Sequence, residues 1–242
     1  MQLTIDIGNS RSKMGLFKER ELIQVESINN EELLKNRSFL SKEGVNTVIL
    51  SSVNQNVERR LGVEKLYENM LFLTSQTKLP IFLAYESPET LGKDRIASVV
   101  GAEKQFPEKD LLVIDAGTCI TYDFLTAQKQ YLGGAISPGI QMRLKAMNHY
   151  TDGLPLIEWG ELKRPQTIGT TTITSMLSGA VNGIIEEMKG FAQDYEQQYP
   201  GLQIVLTGGD ANFFEKELKN GIFADPNLVL KGLNEILIYN NE

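Results

Sequence analysis

The sequence predicts an α/β fold built from two related lobes, and three observations carry that prediction. Short strand-like runs alternate with stretches of helical spacing along the whole chain. The segment Ile5-Asp6-Ile7-Gly8-Asn9-Ser10 is echoed by Ile114-Asp115-Ala116-Gly117-Thr118-Cys119, each a strand, an Asp-x-Gly turn and a returning strand. No low-complexity stretch or linker separates independently folding pieces. The lobes are therefore placed at residues 1–108 and 109–242.

Each element has a local reason. Leu3, Ile5 and Ile7 alternate with Gln2, Thr4 and Asp6, the period of a strand. Gly8-Asn9-Ser10 turns the chain, Lys13 to Phe17 returns, and Glu21 to Ser27 makes a third strand. Asn29-Asn30 before Glu31-Glu32-Leu33-Leu34 is a helix start with acids in its first turn. Val45 to Leu50 is a short buried strand leading to Ser51-Ser52, with a helix through Val57 and Leu61. Leu91 to Gln105 has helical spacing at Leu91, Ile96, Val99 and Val100. The strand pattern then restarts at Leu111 to Ile114 and continues at Ile120 to Leu125 and Tyr131 to Ile136. Ser137-Pro138-Gly139 opens a helix ending near His149, and Thr151 to Thr167, with Pro155 and Pro165, reads as a loop. Thr170 to Tyr195 is the longest helix, its apolar stripe holding Met176, Leu177, Val181, Ile184, Ile185 and Met188. Gly179 and Gly183 are placed inside that stripe, where they permit a close backbone approach. Ile204 to Thr207 is a further buried strand, ending at Gly208-Gly209-Asp210-Ala211 with a helix after it.

Composition narrows the function classes. The chain has 242 residues, 41% apolar and 23% charged, too apolar for disorder and long enough for a sizeable core. Its 24 basic and 31 acidic residues give 24 − 31 = −7 without a basic run, which argues against nucleic acid as a partner. The single cysteine, Cys119, excludes an internal disulfide, and with the single His149 leaves no Cys/His zinc cluster. The N-terminus lacks a basic and apolar leader, and no run reaches the roughly 18 apolar residues of a membrane helix. These features lead us to expect a soluble cytoplasmic protein with no membrane partner.

Chemistry concentrates in three strand-ending turns: Asp6-Ile7-Gly8-Asn9-Ser10, Asp115-Ala116-Gly117-Thr118 and Gly208-Gly209-Asp210-Ala211. Glycine at a strand end lets backbone approach a ligand, and successive N–H groups in such turns bind phosphate oxygens. A Ser or Thr adds a hydroxyl, and Asp6 and Asp115 offer oxygen ligands to a hard cation. One Asp-x-Gly turn alone is usually structural; two at equivalent places followed by Gly-Gly are far more specific. No Gly-x-x-x-x-Gly-Lys-Ser/Thr is present, so the chain has no P-loop.

This combination resembles the phosphate-1, phosphate-2 and adenosine motifs of the actin, Hsp70 and sugar-kinase superfamily, and most closely the type III pantothenate kinase family. The matching segments are Asp6 to Ser10 with Lys13, Gly92-Lys93-Asp94-Arg95 with Tyr85 upstream, Asp115 to Thr118, Gly133 to Gly139, and Gly169-Thr170-Thr171-Thr172. They run in the family's order across most of the chain. The resemblance implies two duplicated ribonuclease-H-like (actin-like ATPase) lobes with mixed sheets and an active site in the interlobe cleft. It implies ATP-dependent phosphorylation of pantothenate to 4′-phosphopantothenate, the first step of coenzyme A biosynthesis. By the same resemblance, Asp6, Ile7, Gly8, Asn9, Ser10, Arg11, Ser12 and Lys13 bind ATP with Thr118, Gly208 and Gly209. Asp6 lies near Mg²⁺, and Asp115 holds a monovalent cation, K⁺ or NH₄⁺. Tyr85, Gly92, Lys93, Asp94 and Arg95 bind pantothenate, with Asp94 as proton acceptor. Thr172 contacts pantothenate from the second subunit of a homodimer. Lys93 and Cys119 stand where smaller residues are frequent, and Ser10 replaces Thr.

The residue chemistry is compatible with this. Phosphoryl transfer to an alcohol needs phosphate charge neutralised and a carboxylate for the hydroxyl proton, and Asp94 supplies the carboxylate. Arg95 can hold an anionic substrate through its guanidinium fork. Taken without their context, Asp94 and Arg95 read first as a helix-surface ion pair, and the family resemblance reverses that order. A different sugar or polyphosphate kinase, or a nucleotide-binding regulator without an acceptor, are the competing classes. Cys119 reads as a packed small side chain, His149 as a helix-end residue, Trp159 as loop packing, and Glu186-Glu187 as a solvated helix face.

Overall fold

The computed structural model describes residues 1–35, 44–62, 67, 69–160, 163–218 and 221–241. They form two compact units. The first comprises Met1–Glu108, Leu125–Gly133 and Asn227–Glu242, the second Lys109–Phe124 and Gly134–Pro226. The chain thus passes from one unit to the other after residues 108, 124, 133 and 226.

In the first unit the strands are β1 (Gln2–Ile7), β2 (Arg11–Lys18), β3 (Glu21–Asn29), β4 (Thr47–Ser52) and β5 (Met70–Phe72). They form a mixed sheet in the order β3-β2-β1-β4-β5. β1 runs antiparallel to β2 and parallel to β4, and β4 parallel to β5. Helices α1 (Asn30–Lys35) and α2 (Gln55–Leu61) bring Leu33, Val57 and Leu61 onto Leu3, Ile5, Ile7, Val48 and Leu50. Further along, β6 (Phe82–Leu83) pairs with the first residues of β9 (Gln130–Pro138), Phe82 opposite Gln130 and Leu83 opposite Tyr131.

The second unit repeats the plan. Its strands β7 (Leu111–Ala116), β8 (Cys119–Leu125), β9, β10 (Gln203–Thr207) and β11 (Ile222–Ala224) lie in the order β9-β8-β7-β10-β11. That is the β3-β2-β1-β4-β5 order again. Here α4 (Ile140–His149), α5 (Thr172–Gln198) and α6 (Ala211–Leu218) cover the strands, with Val181, Ile184, Ile185 and Met188 buried against Leu112, Ile114, Ile120, Leu206 and Phe214. The segment 151–167 carries no helix or strand among its described residues; 161 and 162 lie outside them.

Sequence and structure diverge at particular elements. Ser51 and Ser52 belong to β4 rather than following it. Strands β5, β6 and β11 are two or three residues long, too short for an alternating pattern to register. Gly179 and Gly183 are exposed rather than inside the buried stripe of α5. The largest omission is α7 (Leu228–Asn241), which packs on β1 and on α3 (Lys93–Gln105) of the first unit. Its apolar residues surround the helix instead of marking one face, because Leu228, Leu230, Leu233, Ile236 and Leu237 are all buried.

The α3–α7 crossing is close enough that two glycines decide it. A Cβ on Gly232 would lie 1.7 Å from the Ala97 carbonyl oxygen, and one on Gly101 would lie 2.5 Å from the Leu228 carbonyl oxygen. Both obstacles are backbone, so rotating a side chain gives no relief. Gly232→Ala should therefore destabilise by about 2 kcal/mol, the helix-propensity gain of alanine being outweighed by overpacking. Urea denaturation checks this as a lowered midpoint; an unchanged midpoint would mean the helices separate at little cost.

Candidate active site

Strand register assembles the first group of predicted site residues. Asp6 is the penultimate residue of β1, and it faces Lys13 across the antiparallel β2 and Ser51 across the parallel β4. Directly opposite residues share a sheet face, so both neighbours act on the Asp6 carboxylate. Asp6 Oδ1 is shielded from solvent and has no hydrogen-bond partner among the described residues. Burial, and then the negative charge of Asp94, push the Asp6 carboxyl up from 3.8 to about 7, against the smaller opposing pull of Ser51 and Lys13. Asp94 stands in the first turn of α3, where the helix dipole favours a carboxylate. Its Oδ1 accepts the Arg95 backbone N–H at 2.9 Å, and a Cβ on Gly92 would lie 2.6 Å from that oxygen. Glycine at 92 thus leaves the Asp94 carboxylate room at the helix start.

The rest of the Gly92–Arg95 segment is sheltered. Arg95 is buried at 6% exposure, so its charge is no surface decoration and the helix-surface ion pair does not describe it. The Lys93 ammonium is also shielded from water and meets no hydrogen-bond acceptor among the described residues. Tyr85 lies over Gly133, whose Cβ would come within 3.2 Å of the ring, and tilts against Tyr131 at a centroid distance of 5.8 Å.

The first turn is braced from behind. Gly8 N–H closes it on the Arg11 carbonyl at 3.1 Å. Buried Asn30 donates to the Gly8 and Asn9 carbonyls at 2.9 and 3.2 Å and accepts from Ser12 Oγ at 2.7 Å. Sequence reasoning assigned Asn30 to the helix start; its contacts 21 and 22 residues away have no local signal. Three predicted residues use their side chains elsewhere: Ile7 and Ser12 are buried in the sheet, and the Arg11 guanidinium bonds Ser27.

The second unit joins the other two turns. Gly117 N–H closes its turn on the Cys119 carbonyl at 2.9 Å, as Gly8 does in the first unit. Asp115 is again penultimate in its strand and again faces a hydroxyl residue, Thr207, across a parallel neighbour. Gly208, at φ 98°, approaches so closely that a Cβ there would lie 2.5 Å from Asp115 Oδ1 and 2.3 Å from the Ala116 carbonyl. Asp210 N–H then bonds that carbonyl at 3.0 Å. Thr118 and Gly209 are exposed at the ends of these turns, and Thr172 is exposed at the start of α5 behind the Thr171–Thr174 capping box.

A profile of the type III pantothenate kinase family matches residues 2–194. The chain belongs to the type III pantothenate kinase family. A member from Bacteroides fragilis (strain YCH46) is 46% identical over 244 residues, covering 100% of this chain and 99% of that one. Among solved structures, a Campylobacter jejuni protein assigned to the Baf family of transcriptional activators superposes with a TM-score of 0.66 at 22% identity, covering 99% of this chain and 98% of that one. The inorganic polyphosphate/ATP-glucomannokinase of Arthrobacter sp. strain KM superposes with a TM-score of 0.51 at 14% identity, with 98% of each chain covered. These two likenesses establish a shared mixed α/β fold. Within the pantothenate kinase family the segments of 6–13, 92–95, 115–118 and 169–172 all fall inside the matched region. No helix among the described residues is long and apolar enough to cross a membrane.

Asp6 makes stability depend on pH. Its folded-state value, about 7, lies above the unfolded 3.8, so its contribution is fully present below pH 3.8 and lost as pH rises through 7. In the ligand-free protein, Asp6→Asn should melt higher than wild type at about pH 8, and the gap should shrink towards about pH 5. A pH-independent gap in thermal scans would show that Asp6 ionises in the fold as freely as in water.

Proposed function

We propose that this chain transfers the γ-phosphoryl group of ATP to the hydroxyl of pantothenate, forming ADP and 4′-phosphopantothenate, the first step of coenzyme A biosynthesis. Family membership supports the reaction class. The observation that carries the residue assignment is the carboxylate pair Asp6 and Asp94, near enough for one charge to raise the other's pKa, with the Lys13 cation opposite Asp6. For a reaction that consumes ATP and a small soluble acid we propose a cytoplasmic setting.

Asp94 is the proton acceptor for the substrate hydroxyl: it is a carboxylate at a helix start, oriented there by the Arg95 backbone N–H on its Oδ1. Arg95 and Lys93 bring positive charge to the same helix start, matching the carboxylate of pantothenate. Tyr85 and Gly92 complete that acceptor pocket. Lys13 offsets phosphate charge beside Asp6, and the backbone of residues 9–12 follows the phosphates, since Gly8 N–H is engaged in closing its turn. Thr118, Gly208 and Gly209 are assigned to the nucleotide as well.

Asp6 fits a divalent ion. Its shielded Oδ1 is a hard oxygen donor, and no cluster of three or more His, Cys, Asp or Glu residues exists among the described residues to form a full protein cage. Mg²⁺ suits such a site because it needs one or two carboxylates and takes its other ligands from phosphates and water. When bound it neutralises charge on the phosphates. Asp115 fits a monovalent cation, K⁺ or NH₄⁺, through a carboxylate oxygen seated against the Gly208 backbone.

We place Thr172 of the partner subunit at the acceptor in a homodimer. The support is the outer face of α5, where Gly179 and Gly190 would carry a Cβ into open space and where Ile168 and Ile173 nearby are 79% and 49% exposed. Light scattering should give twice the 27.1 kDa chain mass; a monomer would remove Thr172 from the site.

Coupled ADP release tests the whole assignment. Turnover should require pantothenate and fall when potassium is replaced by sodium. Asp94→Asn should lower kcat by about 10²–10⁴-fold with ATP affinity nearly kept. ADP release indifferent to pantothenate would overturn the substrate, and near-normal turnover in Asp94→Asn would overturn the base.

A further inference from the structure

The Glu186-Glu187 pair does not behave as one solvated face. Glu186 is exposed and pairs with Lys189 at 2.8 Å, whereas Glu187 is the centre of a network in the second unit. Its Oε1 accepts from Tyr122 Oη at 2.9 Å, and its Oε2 accepts from Ser137 Oγ at 3.1 Å and from Arg143 Nη2. Arg143 also donates through Nη2 to Ser137 Oγ at 2.9 Å and through Nε to the Pro138 carbonyl at 2.8 Å. The two side chains are only 20% and 24% exposed, so solvent screens this ion pair less than one on an open surface.

What the network holds is the turn Ser137-Pro138-Gly139, which joins β9 to α4. The opposite side of that turn is seated on the Gly117-Thr118 turn. Gly139 N–H donates to the Thr118 carbonyl at 3.1 Å, and a Cβ on Gly139 would lie 2.2 Å from the Gly117 carbonyl oxygen. Helix α5 is therefore linked through Glu187 and Arg143 to the backbone that carries Thr118.

We propose that Arg143 and Glu187 are positioning residues for nucleotide binding: they fix the Ser137–Gly139 turn, and this turn sets the Gly117–Thr118 backbone against the phosphates. The proposal rests on the assignment of Thr118 to the nucleotide. Neither side chain touches substrate in this scheme. Each acts through hydrogen bonds that lysine at 143 or glutamine at 187 could reproduce only in part, since lysine lacks the guanidinium fork and glutamine lacks the charge.

Steady-state kinetics with ATP and pantothenate varied separately provide the test. Glu187→Gln and Arg143→Lys should each raise the KM for ATP about ten-fold, the scale expected for one charge-assisted hydrogen bond, while the pantothenate KM stays within about two-fold. Ser137→Ala, which removes one hydroxyl from the same network, should shift the ATP KM in the same direction by less and serves if the charged-residue variants fail to fold. Tyr122→Phe removes a Glu187 contact outside the turn; it should lower the melting temperature and leave the ATP KM within about two-fold. Thr118→Val is measured beside them. If Thr118→Val raises the ATP KM while the Ser137, Arg143 and Glu187 variants leave it unchanged, the network is structural only and the proposal fails. If Thr118→Val has no effect either, the assignment of Thr118 fails and the positioning role falls with it. Equal rises in both KM values would also overturn it.

Discussion

The β1 ladder constrains the first unit's chemistry more than any single side chain does. Because strand side chains alternate with a period of two, placing Leu3, Ile5 and Ile7 in the core leaves Asp6 on the other face. Pairing on both edges then dictates its company, Lys13 from β2 and Ser51 from β4. A one-residue slip would drive Asp6 into the apolar core and turn Ile7 to the face shared by Lys13 and Ser51. Hydrophobic burial thus holds the carboxylate in register, and the raised pKa of about 7 is the electrostatic consequence. A carboxylate kept short of full ionisation near neutrality gains most from a nearby cation. The atom concerned is the shielded Oδ1, where the proposed divalent ion would bind.

The same construction occurs at Asp115. There β7 is buried from Leu111 to Ile114, Asp115 is penultimate, and Thr207 stands opposite it on the parallel β10. The two environments differ beyond the sheet. Asp6 has Asp94 near it, whereas Asp115 has the backbone of Gly208 against its oxygen. One plan therefore yields a carboxylate pair beside a lysine in one unit and a carboxylate against glycine backbone in the other. This difference is why we propose a divalent ion at Asp6 and a monovalent ion at Asp115.

Much of this was legible in the chain before any coordinates. Duplication showed in the repeated Asp-x-Gly turns, and the alternation of Leu3, Ile5 and Ile7 located the strand that carries Asp6. The chemically specific segment, Gly92 to Arg95, was visible by resemblance, while its burial was not: nothing local indicates that nine consecutive residues of α3, Arg95 to Glu103, are enclosed. Helix α7 escaped for the related reason that a helix buried around most of its circumference has only a narrow polar face, here Lys231 and Glu235, to set its period. Asn30 does start α1, whereas Glu187 lies in a polar network instead of on a solvated face; in both, the ordinary local role of the residue type gives no sign of the long-range bonds. Their partners lie 18 to 22 and 44 to 65 residues away.

Long-range polar contacts of this kind hold exposed turns in one geometry, as the proposed phosphate contacts require. A turn that must present backbone to a nucleotide cannot itself be buried, so its geometry has to be imposed from the protein side. In the first unit a neutral amide, Asn30, braces the Gly8 and Asn9 carbonyls and costs little to bury once its own groups are bonded. In the second unit the brace is ionic and acts one step removed, through Ser137 to Gly139. An ion pair carries a larger desolvation penalty, which is offset here by five hydrogen bonds shared among Tyr122, Ser137, Pro138, Arg143 and Glu187. Removing one charged partner would leave the other half-buried without its counter-charge, so damage to that brace should spread to the turn instead of staying at the substituted residue.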